Sequence, residues 1–129
     1  MAHELVIRNG VIFKGDSEAK NNLTVEGSLI NPGTVTVNVN NSPYQIGSTE
    51  QFILIDPTQG NVEVIMPDST SYHGRHIFLK LTEDVGANVV TIKKSGDDEI
   101  DGAESYTDLD VKFESILLVS NGDKKWFIF

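Results

Sequence analysis

The 129-residue sequence contains no cysteine, which excludes disulfides, thiol catalysis and cysteine-based zinc sites. Basic side chains are scarce as well: 10 Lys and Arg stand against 19 Asp and Glu, for a formal net charge of −9. Binding to a nucleic-acid backbone or to an anionic membrane surface requires clustered Lys and Arg. We therefore expect no nucleic acid and no membrane among the partners, and the acidity favours solubility instead.

Long hydrophobic runs are also missing. No stretch approaches the roughly 20 apolar residues of a membrane span. Residues 1–4, Met-Ala-His-Glu, do not open a basic segment followed by an apolar run, as a signal peptide would. We expect a soluble protein that is made in a cytoplasm.

Helical periodicity with capping residues is absent over any three turns. Instead, Val, Ile, Thr and Phe recur in short runs between turn residues. Strict alternation in residues 34–40 and 75–82 indicates strands with one apolar face. Residues 52–55, Phe-Ile-Leu-Ile, form a continuous apolar run that is typical of a strand buried on both faces. The sequence therefore predicts an all-β fold, as an antiparallel β-sandwich or a β-prism.

Residues 1–50 and residues 51–129 differ in composition. Residues 1–50 are poor in large side chains, and Asn and Gly interrupt each candidate strand. The first two candidate strands form a predicted hairpin with its turn at Asn9-Gly10. Such a segment is unsuited to burying a core of its own. It is predicted to form an extended N-terminal β arm for attachment, in preference to a sheet laid on the remainder. Residues 51–129 then form the β-sandwich module.

Two strands near the end of the sequence, residues 116–119 and 126–129, are apolar on both faces. A single sandwich buries only one face of each strand, so the second face requires another layer. So short a chain has few spare layers, and we predict a partner subunit in a closed cyclic homo-oligomer. The residues assigned to the subunit interface or the core are Ile116, Leu117, Leu118, Val119, Trp126, Phe127 and Phe129.

One acidic loop matches part of a calcium-binding pattern. Asp97, Glu99, Asp101, Gly102 and Asp108 stand at positions 1, 3, 5, 6 and 12 of a twelve-residue loop. Asp is shorter than the usual Glu at the last position, and no flanking helices are predicted. We favour the alternative, a solvated acidic β-turn with Gly102 at positive φ. On this interpretation the protein holds no metal and no cofactor.

Catalytic motifs are missing too. Gly-x-Ser-x-Gly is absent, and no spacing indicates a Ser, His and Asp set or singles out a glycosidase pair. His73 and His76 lack a third zinc ligand nearby. We predict a protein without enzymatic activity. Tyr72, His73 and Tyr106, in turn-like segments, are candidate contacts to a host sugar or a partner protein.

Short motifs follow one another in a definite order after residue 50. They are Gly-Asn-Val-Glu-Val-Ile-Met-Pro at 60–67, Gly-Arg-His-Ile-Phe-Leu-Lys at 74–80, Asn-Val-Val-Thr-Ile at 88–92, Ile-Asp-Gly at 100–102, and Ser-Asn-Gly-Asp at 120–123 before Trp126. Over residues 51–129 this order resembles that of the C-terminal module of bacteriophage fibre proteins. Residues 23–29 and 33–38 are similar to the Val-x-Gly-x-Leu repeats of fibre shafts.

The resemblance implies a homotrimer on the virion surface, as a head fibre or a capsid decoration protein. It also implies attachment to other virion proteins, such as a capsid or tail protein, through residues 1–50. Two further functions stay open. One is a receptor-binding tail-fibre tip that contacts host surface glycans through loops 69–74 and 95–102, and the other is a tip that hydrolyses polysaccharide.

Overall fold

The computed structural model describes residues 14–16, 18, 20, 34–71 and 73–129. The chain divides into two compact units, Met1–Ile30 and Asn31–Phe129, and the described strands belong to the second. The predicted Asn9-Gly10 hairpin, much of the predicted arm, and Tyr72 lie outside the described residues. Within the described ranges, no helix is long and apolar enough to cross a membrane.

Ten short strands within the described residues form two sheets. The large sheet has the strand order β1 (Thr34–Val37), β3 (Phe52–Ile55), β5 (His76–Leu81), β9 (Ser115–Ser120), β10 (Lys125–Ile128) and β7 (Glu99–Ile100). The small sheet has the order β2 (Tyr44–Gln45), β4 (Val62–Ile65), β6 (Val90–Lys93) and β8 (Ser105–Tyr106). The helical structure of the described residues is limited to a 3₁₀ turn at Ser69–Ser71, so the all-β prediction is confirmed.

The predicted antiparallel arrangement is wrong for most strand pairs. From β1 to β6 the chain alternates between the two sheets, so that β1, β3 and β5 run parallel in one and β2, β4 and β6 run parallel in the other. A strand of the opposite sheet thus takes the place that a helix has in most parallel crossovers. Antiparallel pairing joins β5 to β9, β9 to β10, and β6 to β8. Both sheets are therefore mixed.

Polar side chains at the corners tie each turn of this coil to the next. The Asn61 side-chain oxygen accepts a hydrogen bond from the Val89 amide at 2.9 Å, and the Asn88 side chain donates to the Pro57 carbonyl at 2.8 Å. The Ser42 hydroxyl accepts a bond from the Glu63 amide at 2.8 Å. These bonds satisfy backbone groups that leave the sheets at the corners. Short Asn and Ser side chains thus hold the β-coil together where the strands end.

Part of the segment predicted to be an arm lies in the two sheets. β1 pairs with β3, and β2 pairs with β4. Val37, at the end of β1, and Ile46, just after β2, are buried in the core. The predicted boundary at residue 50 therefore differs from the division after residue 30. A strand that supplies only one core residue is still stabilised when its backbone pairs with a neighbouring strand and that residue packs between two sheets.

The core lies between the two sheets. Inward-pointing residues of β5 and β6 are fully covered, and the alternation predicted for residues 75–82 is confirmed, with Ile77, Leu79 and Leu81 on the buried side. The largest buried side chain is Trp126 of β10, whose indole N–H donates to the Pro67 carbonyl at 3.1 Å. The buried apolar residues are Val37, Ile46, Ile53, Ile55, Val62, Val64, Met66, Ile77, Leu79, Leu81, Val90, Ile92, Ile100, Leu109, Ile116, Leu118 and Trp126.

A buried carboxylate holds the connection between β4 and β5. Asp98 is 3% exposed, and its Oδ2 accepts a hydrogen bond from the Ser69 amide at 2.8 Å. The Ser69 carbonyl in turn accepts a bond from the Ser120 hydroxyl at 2.9 Å. This chain of bonds fastens the 3₁₀ turn to β9 and to the loop before β7.

We expect Asp98→Ala to lower the free energy of unfolding by about 1–3 kcal/mol, because it leaves the buried Ser69 amide without an acceptor. The neighbouring Asp97 is exposed and lies 3.7 Å from Lys124. Asp97→Ala is the matched control and should change stability little. Urea titration of both variants measures the difference, and equal stabilities would contradict the anchoring role.

Candidate subunit-contact face

The large sheet presents an apolar surface on the side that faces away from the core. Alternation along each strand puts one set of residues inward and leaves the other set outward. We call the outward set the outer face of the large sheet. Its apolar members are Phe52, Leu54, Phe78, Leu117, Val119, Phe127 and Phe129.

Strand register brings four of these residues into one row. Phe52 stands opposite Phe78, and Phe78 opposite Leu117. Leu117 and Phe129 exchange two backbone hydrogen bonds, at 2.8 and 3.3 Å. The rings of Phe52 and Phe78 stack with centroids 5.2 Å apart and planes 15° from parallel. Three aromatic side chains and one leucine thus form a continuous row across β3, β5, β9 and the residue that follows β10.

The aromatic residues of this face stay substantially open to solvent. Phe52, Phe78, Phe127 and Phe129 are 40%, 36%, 42% and 77% exposed. With about 200 Å² for each phenylalanine side chain, these four leave roughly 400 Å² of apolar surface uncovered. That area lies within the range of the largest apolar patch on a typical monomer, and patches of this kind are often functional.

The opposite surface, on the small sheet, has a different character. Glu63 of β4 stands opposite Thr91 of β6 in register, and its carboxylate forms an ion pair at 2.7 Å with Lys93, two residues further along β6. Thr91 lies on the same side of β6 as Lys93, and the Gln45 side chain of β2 donates to the Ile65 carbonyl at 3.2 Å. Ile65 is half-buried on this side of β4, but none of the exposed large apolar residues in the described ranges lies in the four strands of the small sheet, whereas Phe52, Phe78 and Phe127 lie in the large sheet.

Phe113 extends the apolar surface beyond the end of β5. Its amide donates to the Leu81 carbonyl at 3.1 Å, and its backbone has φ of +67°. The ammonium groups of Lys80 and Lys112 lie 5.9 and 5.1 Å from the ring centroid, within the range of a cation–π contact. A hydrogen bond to Glu83 raises the pKa of Lys112. The ring is 61% exposed, and the backbone hydrogen bond to Leu81 and the two lysine contacts fix its position.

The residues predicted for the subunit interface or the core divide by strand face. Ile116, Leu118 and Trp126 are buried within the chain itself. Leu117 and Val119 are half-buried, and Phe127 and Phe129 are exposed. The chain therefore buries one face of β9 and β10 and leaves the other face partly exposed.

Residues 52–55 were expected to be buried on both faces, and this was wrong for the chain by itself. Ile53 and Ile55 are buried, whereas Phe52 is exposed and Leu54 is half-buried. Phe52 and Phe78 were not among the predicted interface residues. The signal for Phe78 in the sequence was a large aromatic residue on the otherwise polar side of an alternating strand, between His76 and Lys80.

The acidic loop forms a tight turn. Asp101 and Gly102 have φ of +48° and +81°, and Ile100 and Ala103 exchange two backbone bonds around them. These are the features of a two-residue hairpin with an Asp-Gly turn. Gly102 at positive φ confirms that part of the β-turn interpretation. Asp101 Oδ1 accepts a bond from the Ile128 amide at 3.1 Å.

Within the described residues, no group of three or more His, Cys, Asp or Glu side chains is arranged to hold a metal ion. We expect that adding millimolar Ca²⁺ to metal-free protein leaves the Tm unchanged, because Asp101 already serves a backbone amide. Differential scanning fluorimetry with Mg²⁺ as the control checks this. A Ca²⁺-specific rise in Tm would contradict it.

The structure does not gather the predicted host-contact residues into one described site. Tyr72 lies outside the described residues. His73 is exposed before β5, against the turn at Gly122. Tyr106 lies in the small sheet and packs against the core. Burial, then the charges of Asp108, Glu114 and Asp110, raise the pKa of Tyr106. His76 is on the outer face of the large sheet, opposite Val119.

A polar cluster fixes the segment between β2 and β3. The Tyr44 hydroxyl donates to Glu50 Oε1, and Glu50 Oε2 accepts a bond from the Gly47 amide at 2.6 Å. Arg75 donates to the carbonyls of Gly47 and Glu50. The bond to Glu50, with burial and the charge of Glu50, raises the pKa of Tyr44 to about 12.

This shift gives a pH prediction. Because the folded-state pKa of Tyr44 lies above its ordinary value of 10.0, its contribution to stability is complete below pH 10 and is lost as the pH rises toward about 12. We expect the Tm of the natural protein to fall more steeply than that of Tyr44→Phe across this interval. Parallel slopes for the two proteins would contradict the assignment.

Among the described residues, the outer face of the large sheet gathers four exposed phenylalanines, and the opposite side of the sandwich carries the Glu63–Lys93 ion pair. Sheet register, ring stacking and exposure all place the candidate site on the outer face of the large sheet. No family model matches the sequence, and no curated protein is significantly similar to it.

Proposed function

We propose that this chain is a non-enzymatic structural protein of a bacteriophage particle. It acts on the virion surface as a head fibre or capsid decoration protein and assembles as a homotrimer, attached to the particle through residues 1–50. The observation that carries the proposal is the apolar outer face of the large sheet. The order of fibre-type motifs in residues 51–129 is the support for the phage assignment.

The energetics favour covering this face. Removing roughly 400 Å² of apolar surface from water stabilises a complex by on the order of 10 kcal/mol per copy. This gain is comparable with the 4–15 kcal/mol or so that association costs in lost translational and rotational freedom. Contacts of Leu54, Leu117 and Val119 add to it. Stable assembly is therefore within reach of this one face.

Charge explains why association would be confined to that face. The net charge of −9 makes copies repel one another in general. The apolar members of the outer face carry no charge, whereas Glu63 and Lys93 occupy the surface of the small sheet. An assembly through the large sheet leaves this ion-paired surface of the small sheet in water.

Two measurements test the proposal. Light scattering coupled to size exclusion should give three times the mass of one chain for the purified protein. Gold-labelled antibody in electron microscopy of phage particles should decorate the particle surface. A monomer at all concentrations would overturn the self-assembly, and labelling confined to the tail tip would replace the structural role with host recognition.

A further inference from the structure

The outer face of the large sheet has two aromatic ridges. The first ridge is Phe52 and Phe78, on β3 and β5. The second ridge is Phe127 and Phe129, in and just after β10. Between them runs β9, with the smaller, half-buried Leu117 and Val119. Since neighbouring strands lie about 4.8 Å apart, β5 and β10 are separated by roughly 10 Å.

The two ridges differ in what their rings offer to a partner. In the first ridge the rings stack on each other, 15° from parallel, so each uses one face internally and directs an edge outward. In the second ridge, Phe127 and Phe129 make no ring–ring contact with other residues of the described ranges, and Phe129 is 77% exposed. Its ring faces are therefore available.

Aromatic rings have a negative face and a positive edge, so edge-to-face contact is favoured over edge against edge. Two copies of the stacked first ridge would meet edge against edge. The first ridge of one copy and the second ridge of another would meet edge against face. The unlike pairing is the more favourable one.

The size of the face fits a second copy of this chain as its occupant. A standard interface buries about 800 Å² on each partner, and homodimer interfaces are about 65% apolar. The roughly 400 Å² of exposed phenylalanine surface, together with Leu54, Leu117 and Val119, supplies most of that apolar share. The polar remainder is available from neighbouring outward residues such as Thr34, Ser115 and Lys125.

We infer that Phe127 and Phe129 of one copy pack against the Phe52–Phe78 stack of the next copy. This inference rests on the homotrimer proposed above. A cyclic trimer joins two different patches at each interface, and the two ridges are two such patches on one face. The same contact repeated three times closes the ring.

The absence of cysteine makes a clean cross-linking test available. Phe52→Cys and Phe129→Cys are made separately in the full chain and are then co-expressed with different affinity tags. A bis-maleimide reagent with a span of about 10 Å matches the separation of packed sheets. We expect a cross-linked product that carries both tags, and little product from either variant by itself. Ser105→Cys, on the small sheet, is the control and should not cross-link.

The double variant Phe52→Cys/Phe129→Cys should give a covalent trimer on a denaturing gel. Strong cross-linking within either single variant would overturn the unlike pairing while leaving self-assembly intact. A complex of the expected mass that yields no cross-linked product with both tags would also overturn the unlike pairing and leave self-assembly intact. A monomer in light scattering, with no cross-linked product at all, would overturn the proposed function together with this inference.

Discussion

Replacing Trp126 with alanine should lower the free energy of unfolding by about 3–5 kcal/mol. Trp126 is fully buried between the sheets, and its indole N–H donates to the Pro67 carbonyl at 3.1 Å. Truncation removes the largest buried side chain and leaves a cavity. It also leaves the Pro67 carbonyl without its hydrogen-bond donor. Denaturant unfolding, followed by circular dichroism, measures the loss.

Two further variants separate the causes. Trp126→Phe keeps an aromatic ring but removes the donor to Pro67, and it should lose less stability than Trp126→Ala. Phe127→Ala, one position along the same strand, removes a side chain that is 42% exposed and should cost the isolated chain much less. If Phe127→Ala proved as destabilising as Trp126→Ala in the dissociated chain, the assignment of faces along β10 would be wrong.

Replacing Phe78 with glutamate should weaken self-association by at least about 100-fold in Kd. Phe78 lies in the middle of the outer face, between Phe52 and Leu117 in register. Glutamate there would bring an unpaired charge into an apolar contact, which costs several kcal/mol. Sedimentation or light scattering over a concentration series should show monomers where the natural protein is assembled.

Ser105→Glu is the matched control for this experiment. It adds the same single negative charge, but on the small sheet, beside Lys93 in register. This variant should assemble as the natural protein does. Far-ultraviolet circular dichroism and a cooperative melt should show that Phe78→Glu remains folded. Equal weakening of assembly by both variants would point to net charge as the cause and would contradict the role of the large sheet.

Local features of the fold were accessible from the residues themselves. The alternation in residues 75–82 predicted which side of β5 is buried, because side chains on a strand point to opposite sides in turn. The Asp101-Gly102 turn follows from the need for positive φ at both positions of a two-residue hairpin. The pairing of the last two strands across Asn121-Gly122-Asp123 is equally local.

Strand neighbours over longer separations were not accessible in this way. Strands spaced by similar lengths and bounded by turns are compatible with antiparallel hairpins and with a parallel coil. The difference lies in whether each turn sends the chain back along the same sheet or across to the other one. Residues 34–37 and 44–45 are an example. They belong to a segment that is poor in large side chains, and only their pairing with β3 and β4 makes them part of the sandwich.

The amino acids by themselves determined the β character of the chain, the buried side of β5 and the acidic turn. They also determined the excess of apolar side chains in residues 116–119 and 126–129. Each of these depends on side-chain chemistry and on neighbours within a few positions. Tertiary structure alone decided that the strands coil between two mixed sheets, and that Phe52, Phe78, Phe127 and Phe129 gather on one uncovered surface. Contacts between distant strands depend on register and crossover, which pattern within a strand does not encode.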